Sequence, residues 1–222
     1  MERDRGRADL TAPAGRAAGE GGARRGARRG AGLRALAPTF ASYFLFGLGY
    51  VSYMTFAVAL LRDERESGRT IALFRAILGS GSLLTPAWGR ALGSRPLRGG
   101  RGFAATLAVL TLASSLPLAS AGPAALYLSA FLFGSALMAV TTAAAALVRG
   151  RTAAAHWTSA FGALTVSFGV GQTIGPLATG LLSDTPARLH LGLLASTLVL
   201  APSAPIALAQ RTRPDGRRRC VR

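Results

Sequence analysis

The 24 residues PTFASYFLFGLGYVSYMTFAVALL, Pro38–Leu61, carry no charge. Wound as a helix at about 1.5 Å of rise per residue, such a run is about 36 Å long and crosses the roughly 30 Å hydrocarbon core of a bilayer. It also lacks the polar face that a helix on a water-soluble domain presents. Five more runs follow: Thr70–Leu92, Gly102–Ser120, Pro123–Val148, Ala160–Leu182 and Leu189–Gln210, so that the six hold 19 to 26 residues each. Buried helices of soluble proteins average about 11–12 residues. The pattern predicts an all-α fold, a polytopic membrane helix bundle of six transmembrane helices, embedded in the lipid bilayer as an integral membrane protein.

Composition agrees. Half of the 222 residues are apolar, which is too many for a disordered chain, and Cys220 is the single cysteine, so there is no disulfide framework. The 28 glycines and abundant alanine suit close helix packing in lipid. The charge divides the chain into three parts. Residues 1–37 form a basic Arg/Gly/Ala-rich arm of net charge +5, residues 38–210 the six-span domain, and residues 211–222 a basic tail. The arm lacks the apolar centre of a secretory signal, and Ala, Gly and Arg bury too little surface to order it. It reads as a solvated linker or start-site artefact, or as a polybasic arm on anionic lipid. A nucleic-acid partner is not expected, because no aromatic residue interleaves the arginines.

Orientation follows from the arginines. With the N-terminus in the cytoplasm, the inside segments hold 9, 4, 2 and 6 arginines, 21 in all, against four outside (Arg62, Arg65, Arg69 and Arg188). The positive-inside rule then puts both termini in the cytoplasm, in a bacterial inner membrane.

Within the spans, Tyr43, Gly47, Tyr50 and Met54 share one face of the first helix, with Ser52, Tyr53 and Thr55 close by. Such a stripe suits a solute-facing wall, or hydroxyls bonding neighbouring helices. Arg75 is the sole charge well inside a span; it would hold a ligand or ion-pair partner, or snorkel to the outer interface. The fifth run carries GQTIGPLATG, Gly171–Gly180. There Gly171 and Gly175 form a GxxxG notch, Pro176 kinks the helix, and the Gln172 amide must face a partner or water. The substrate-cavity candidates are therefore Tyr50, Tyr53, Gln172, Thr173 and Arg75. The packing or gating candidates are Gly47, Gly171, Gly175, Pro176 and Gly180. Catalytic residues, a metal site and a cofactor are not expected. His156 and His190 have no ligand spacing and no span holds a carboxylate. An intramembrane serine hydrolase would have to pair Ser80 or Ser82 with His190.

The string SYFLFGLGYVSYMTFAVALLR (Ser42–Arg62) resembles the opening of the second half of YbfB/YjiJ-type transporters of the major facilitator superfamily. GVGQTIGPLATGLLSD (Gly169–Asp184) resembles their eleventh span, and LSAFLFGSALMAV (Leu128–Val140), more loosely, their tenth. The resemblance runs over about residues 38–209. It implies that the six spans correspond to spans seven to twelve of a twelve-span carrier of a small-molecule solute. The first, second, fourth and fifth would line a central cavity, and the third and sixth would face lipid. It implies alternating access, with one six-helix half rocking against another. The arm stands where the family has its first half, so the chain is expected to be a fragment of a longer product, to pair with a missing N-terminal half or a second copy, or to be an inactive remnant or non-transporting interaction protein. Arg75 departs from the apolar or aromatic residue the family leads one to expect there. With no acid in the spans, proton coupling would need an ionisable group elsewhere.

A reporter fused at Cys220 is expected to read cytoplasm; a periplasmic signal would overturn the topology.

Overall fold

The computed structural model describes residues 36–63, 67–94, 100–120, 122–182 and 189–210. The expectations for the basic arm and the C-terminal tail, and those that rest on residues 64–66, 95–99, 121 and 183–188, fall outside these residues.

Every regular element among the described residues is helical: α1 (Ala37–Asp63), α2 (Gly68–Gly81), α3 (Thr85–Gly93), α4 (Gly100–Ala119), α5 (Pro123–Arg151), α6 (Trp157–Leu182), α7 (Leu189–Leu200) and α8 (Ser203–Leu208). The second span is α2 and α3 joined by a short 3-10 turn, Ser82–Leu84, and the sixth is α7 followed by α8. Among the described residues five segments are long and apolar enough to cross a membrane: Ala37–Arg62, Gly68–Gly93, Gly100–Ala119, Pro123–Arg151 and His190–Leu208. The fifth run forms the 26-residue α6, which has the length but is not among those five. Gln172, two threonines beside or near it, and four glycines from 162 to 175 dilute its apolar content.

Element ends differ from the apolar runs where local chemistry intervenes. The fourth span continues to Arg151, since Arg149 and Arg151 in its last turn complement the negative end of the helix dipole. The second span breaks because Pro86 has no N–H to donate to the Ser82 carbonyl four residues back. That carbonyl instead accepts from the Thr85 backbone N–H and from Thr85 Oγ1 at 2.5 Å, while Ser82 Oγ donates to the Gly79 carbonyl at 2.6 Å. The sixth span turns at Ala201–Pro202 for a related reason; Pro202 and Pro205 both lack a donor.

The first and fourth spans form the centre. The fifth packs on the first, the second packs on the fourth, and the third and sixth stand behind, touching each other and the two central helices. Lipid tails are as apolar as leucine, so helices gain little by burying leucine against one another; close packing must supply the attraction. Glycine makes that approach possible. A Cβ placed on Gly171 would strike the Phe44 carbonyl and the Leu48 N–H, and one on Gly175 the Leu48 carbonyl. In return, a Cβ on Gly47 would lie 2.5 Å from the Phe168 carbonyl. The second and fourth spans repeat the arrangement, with Gly81 on the Phe131 carbonyl and Ser135 N–H and Gly134 on the Leu78 carbonyl.

This correspondence extends to sequence. Ser42–Gly47 reads SYFLFG and Ser129–Gly134 reads SAFLFG, so the first and fourth spans share S-x-F-L-F-G. The second and fifth share G-x-G-x-x-x-x-P, at Gly79–Pro86 and Gly169–Pro176. The leading serines of the first motif also act alike. Ser42 Oγ donates to the Ser203 carbonyl of the sixth span at 2.9 Å, and Ser129 Oγ to the Ala113 carbonyl of the third at 2.6 Å. Three crossings separate each pair, so the related helices run in opposite senses. The bundle is thus two three-helix units in inverted topology, related by a pseudo-twofold axis in the membrane plane.

Gly134→Leu is expected to destabilise the purified protein by about 3 kcal/mol or more, the upper end of overpacking costs. Gly79→Leu, where an added Cβ meets nothing within 4 Å, should stay within about 0.5 kcal/mol. Detergent-solubilised melting curves measure both.

Candidate functional site

An aromatic ladder runs through the centre, built on the i, i+3 and i+4 spacing of the first span. Tyr43 and Phe46 both meet Phe168 of the fifth span, at centroid separations of 5.2 Å. Tyr50 lies nearly parallel to Phe168 at 6.1 Å and to Phe133 of the fourth span at 6.4 Å. Tyr53 stacks closely on Phe133, at 4.1 Å. Each pair of this kind contributes about 0.5–1.5 kcal/mol beyond its buried area.

The two sequence-predicted tyrosines of the cavity set occupy different environments. Tyr53 is 0% exposed, and its hydroxyl shares a 2.5 Å hydrogen bond with Ser129 Oγ, whose proton goes to the Ala113 carbonyl. It is locked into the seam between the first, third and fourth spans. A second polar link, Thr197 Oγ1 to Ser114 Oγ at 3.1 Å, ties the sixth span to the third. Tyr50 is half-buried, and its hydroxyl has no hydrogen-bond partner among the described residues.

The flanking helices carry the remaining polar groups. Residues two apart lie about 200° apart around a helix, so the two glycines of each G-x-G face opposite ways. Gly81 and Gly171 pack onto the centre; Gly79 and Gly169 would meet nothing within 4 Å if given a Cβ. The open side of each helix is shared by the residues four before and three after that glycine. On the second span these are Arg75 and Ser82; on the fifth they are Thr165 and Gln172. The repeat therefore presents two matching stripes, Arg75–Gly79–Ser82 and Thr165–Gly169–Gln172. The hydroxyls are satisfied locally, Ser82 on Gly79 and Thr165 on the Phe161 carbonyl at 3.0 Å. The Arg75 guanidinium is exposed and the Gln172 amide half-buried, and neither has a hydrogen-bond or ion-pair partner among the described residues. Thr173 is exposed beside them, its hydroxyl turned back to the Gly169 carbonyl at 3.0 Å.

Of the packing set, Gly47, Gly171 and Gly175 lie at the crossing of the first and fifth spans. Pro176 is inside α6, and the surroundings of Gly180 lie outside the described residues. Sequence inspection missed Ser129, Phe133, Phe168, Gly81 and Gly134. The repeated S-x-F-L-F-G would have found Ser129, Phe133 and Gly134, and the repeated G-x-G-x-x-x-x-P would have found Gly81. Phe168 has no such signal. Ser80 donates to the Ile77 carbonyl at 2.7 Å and Ser82 to that of Gly79, which leaves neither aligned on a base. Among the described residues no three His, Cys, Asp or Glu gather.

Long apolar helices in two inverted triplets, with polar groups held open on two related flanks, define an integral membrane protein of the transporter class. A family model described as uncharacterised MFS-type transporter YbfB matches residues 9–208. The chain belongs to that family, within the major facilitator superfamily. No curated protein and no solved structure matches it significantly.

A double-mutant cycle on Tyr53→Phe and Ser129→Ala is expected to give a coupling of about 0.6–1.7 kcal/mol, the range for hydroxyl pairs between membrane helices. Additive effects in thermal or denaturant unfolding would place the hydroxyls in separate environments.

Proposed function

We propose that residues 38–210 form one wall of a solute pathway in a secondary carrier, with Tyr50, Gln172, Thr173 and Arg75 facing the solute. The observation that carries this is the set of three polar ends, the Tyr50 hydroxyl, Gln172 amide and Arg75 guanidinium, that sit in membrane spans without a partner among the described residues. In hydrocarbon such groups cost several kcal/mol each unless water, protein or solute meets them. Nature retains that cost where a ligand will bind. The location supports it as well. Gly/Pro-interrupted segments at corresponding places in inverted repeats mark the moving, solute-binding parts of carriers, and Gly79–Pro86 and Gly169–Pro176 are such a pair.

Tyr53 takes a different role, as the anchor that holds the first span against the fourth while Tyr50 presents its edge. Gly47, Gly171 and Gly175 form the bearing on which the fifth span moves against the first, with Pro176, and Gly180 beyond it, supplying compliance. The facing wall is a second six-span unit, either an N-terminal half or another copy of this chain. Both termini lie in the cytoplasm of a bacterial inner membrane, flanked by the basic arm 1–37 and tail 211–222. The protein is a carrier and performs no bond-making chemistry.

Proteoliposomes containing the purified chain, loaded with one of a panel of labelled solutes and diluted for counterflow, test the proposal. Flux of at least one solute is expected. Tyr50→Ala should raise its KM by roughly tenfold, as expected for losing a ring contact and a hydroxyl, while Tyr53→Phe should leave KM unchanged. Flux for none of the panel, from the chain alone or co-reconstituted with a second six-span unit, would overturn it.

A further inference from the structure

The second span is 26 residues long, Gly68–Gly93, and so about 39 Å. Arg75 is the eighth of these residues, about 8 Å from the middle of the helix and well within the half-thickness of the hydrocarbon core. Around the helix its neighbours are unevenly distributed. Phe74, Leu78 and Gly81 turn toward the fourth span: Phe74 and Gly81 are buried, and Gly134 abuts the Leu78 carbonyl. One flank beside that face carries the large apolar Leu73, Ile77 and Leu84. The other carries Arg75 with Ala72, Gly79 and Ser82, and Ile71 one turn before it. A guanidinium left on the apolar flank would face acyl chains. On the flank it occupies, Ala72 and Gly79 leave room beside it, and the Cβ direction of Gly79 is open.

The inverted repeat isolates what is special here. Position 75 corresponds to Thr165, whose hydroxyl is satisfied within its own helix. The two stripes thus match in geometry and differ by one full positive charge. Packing needs, which the repeat meets equally on both sides, do not explain a cation on one side alone. Guanidinium is a planar array of five donors with no acceptor, and it pairs best with an oxyanion held by two parallel hydrogen bonds.

Resting on the carrier reading above, we propose that Arg75 is an oxyanion site on the second span and that the solute carried is a small organic acid, bound through its carboxylate. Gln172, on the matching stripe across the pseudo-twofold axis, supplies neutral hydrogen bonds to the rest of the solute. A phospholipid headgroup presents the same chemistry to an arginine that reaches up toward the interface, and the experiment separates the two.

The full chain is reconstituted in nanodiscs of phosphatidylcholine alone and its melting temperature followed with benzoate, benzamide and benzylamine, with succinate, and with inorganic phosphate. The first three probes share a ring and differ in charge. A carboxylate is expected to raise the melting temperature in the wild type. Its apparent affinity should fall roughly tenfold or more in Arg75→Gln and be only partly kept in Arg75→Lys, which retains the charge but loses the planar pair of donors. Stabilisation by benzamide or benzylamine equal in wild type and Arg75→Gln would overturn the proposal. So would the absence of any response to the anions. An Arg75-dependent rise produced only by adding phosphatidylglycerol, with none from soluble anions, would assign the residue to lipid and equally overturn it. Counterflow of labelled benzoate, benzylamine and benzamide in the same preparation keeps the two levels apart: flux of a neutral or cationic probe, unaffected by Arg75→Gln, preserves the carrier and removes the anion site.

Discussion

Backbone-to-backbone approach at glycine is the constraint on which the rest of this bundle depends. In lipid there is no hydrophobic gain in pressing one apolar helix on another, so attraction comes from dispersion at close range and from a few interhelical hydrogen bonds. At the crossing of the first and fifth spans, Gly47, Gly171 and Gly175 remove the side chains that would keep the helices apart; Gly81 and Gly134 do so for the second and fourth. Separating the first and fifth spans by a methyl group would also pull on the rings that bridge them. Phe168 would leave Tyr43 and Phe46, to which it lies at 5.2 Å. The hydroxyl bonds from Ser42 and Ser129 to the outer helices then hold the third and sixth spans behind the centre.

The repeat divides what is structural from what is specific. Shared positions, such as Gly47 with Gly134, Phe46 with Phe133 and Gly81 with Gly171, pack. Positions that differ carry chemistry: Tyr50 against Leu137, Ser82 against Gln172, Arg75 against Thr165. Even the shared prolines have unlike results. At Pro86 the hydroxyls of Ser82 and Thr85 take over backbone bonding and the helix tightens into a 3-10 turn. At Pro176 the residue equivalent to Thr85 is Gly175, pressed on the Leu48 carbonyl, and the helix stays α. One pair of a common scaffold thus has a built-in break and the other a tight bearing.

Six apolar runs were legible because hydrocarbon thickness sets a length that no other constraint imposes. Their ends were less so, since the arginines at 149 and 151 continue a helix that hydropathy would stop. The glycine notch at 171 and 175 was legible as a close approach; its partner, the carbonyls of Phe44 and Leu48, was not. Spacing put Tyr50 and Tyr53 about 60° apart on one side of a helix and gave them one role. Burial distinguishes them, because Ser129 happens to lie within reach of only the second.

From its residues alone this chain is committed to a helical membrane bundle: runs of uncharged side chains can satisfy their backbone in lipid only by winding into helices, and the arginines between them resist entry into hydrocarbon. Which helix meets which, which tyrosine is sealed and which keeps a hydroxyl without a partner among the described residues, and which flank of the second span carries Arg75 away from its packing face were decided by tertiary structure. The reason is that an apolar helix in lipid has no preferred neighbour until a gap without a Cβ on one helix finds a carbonyl on another.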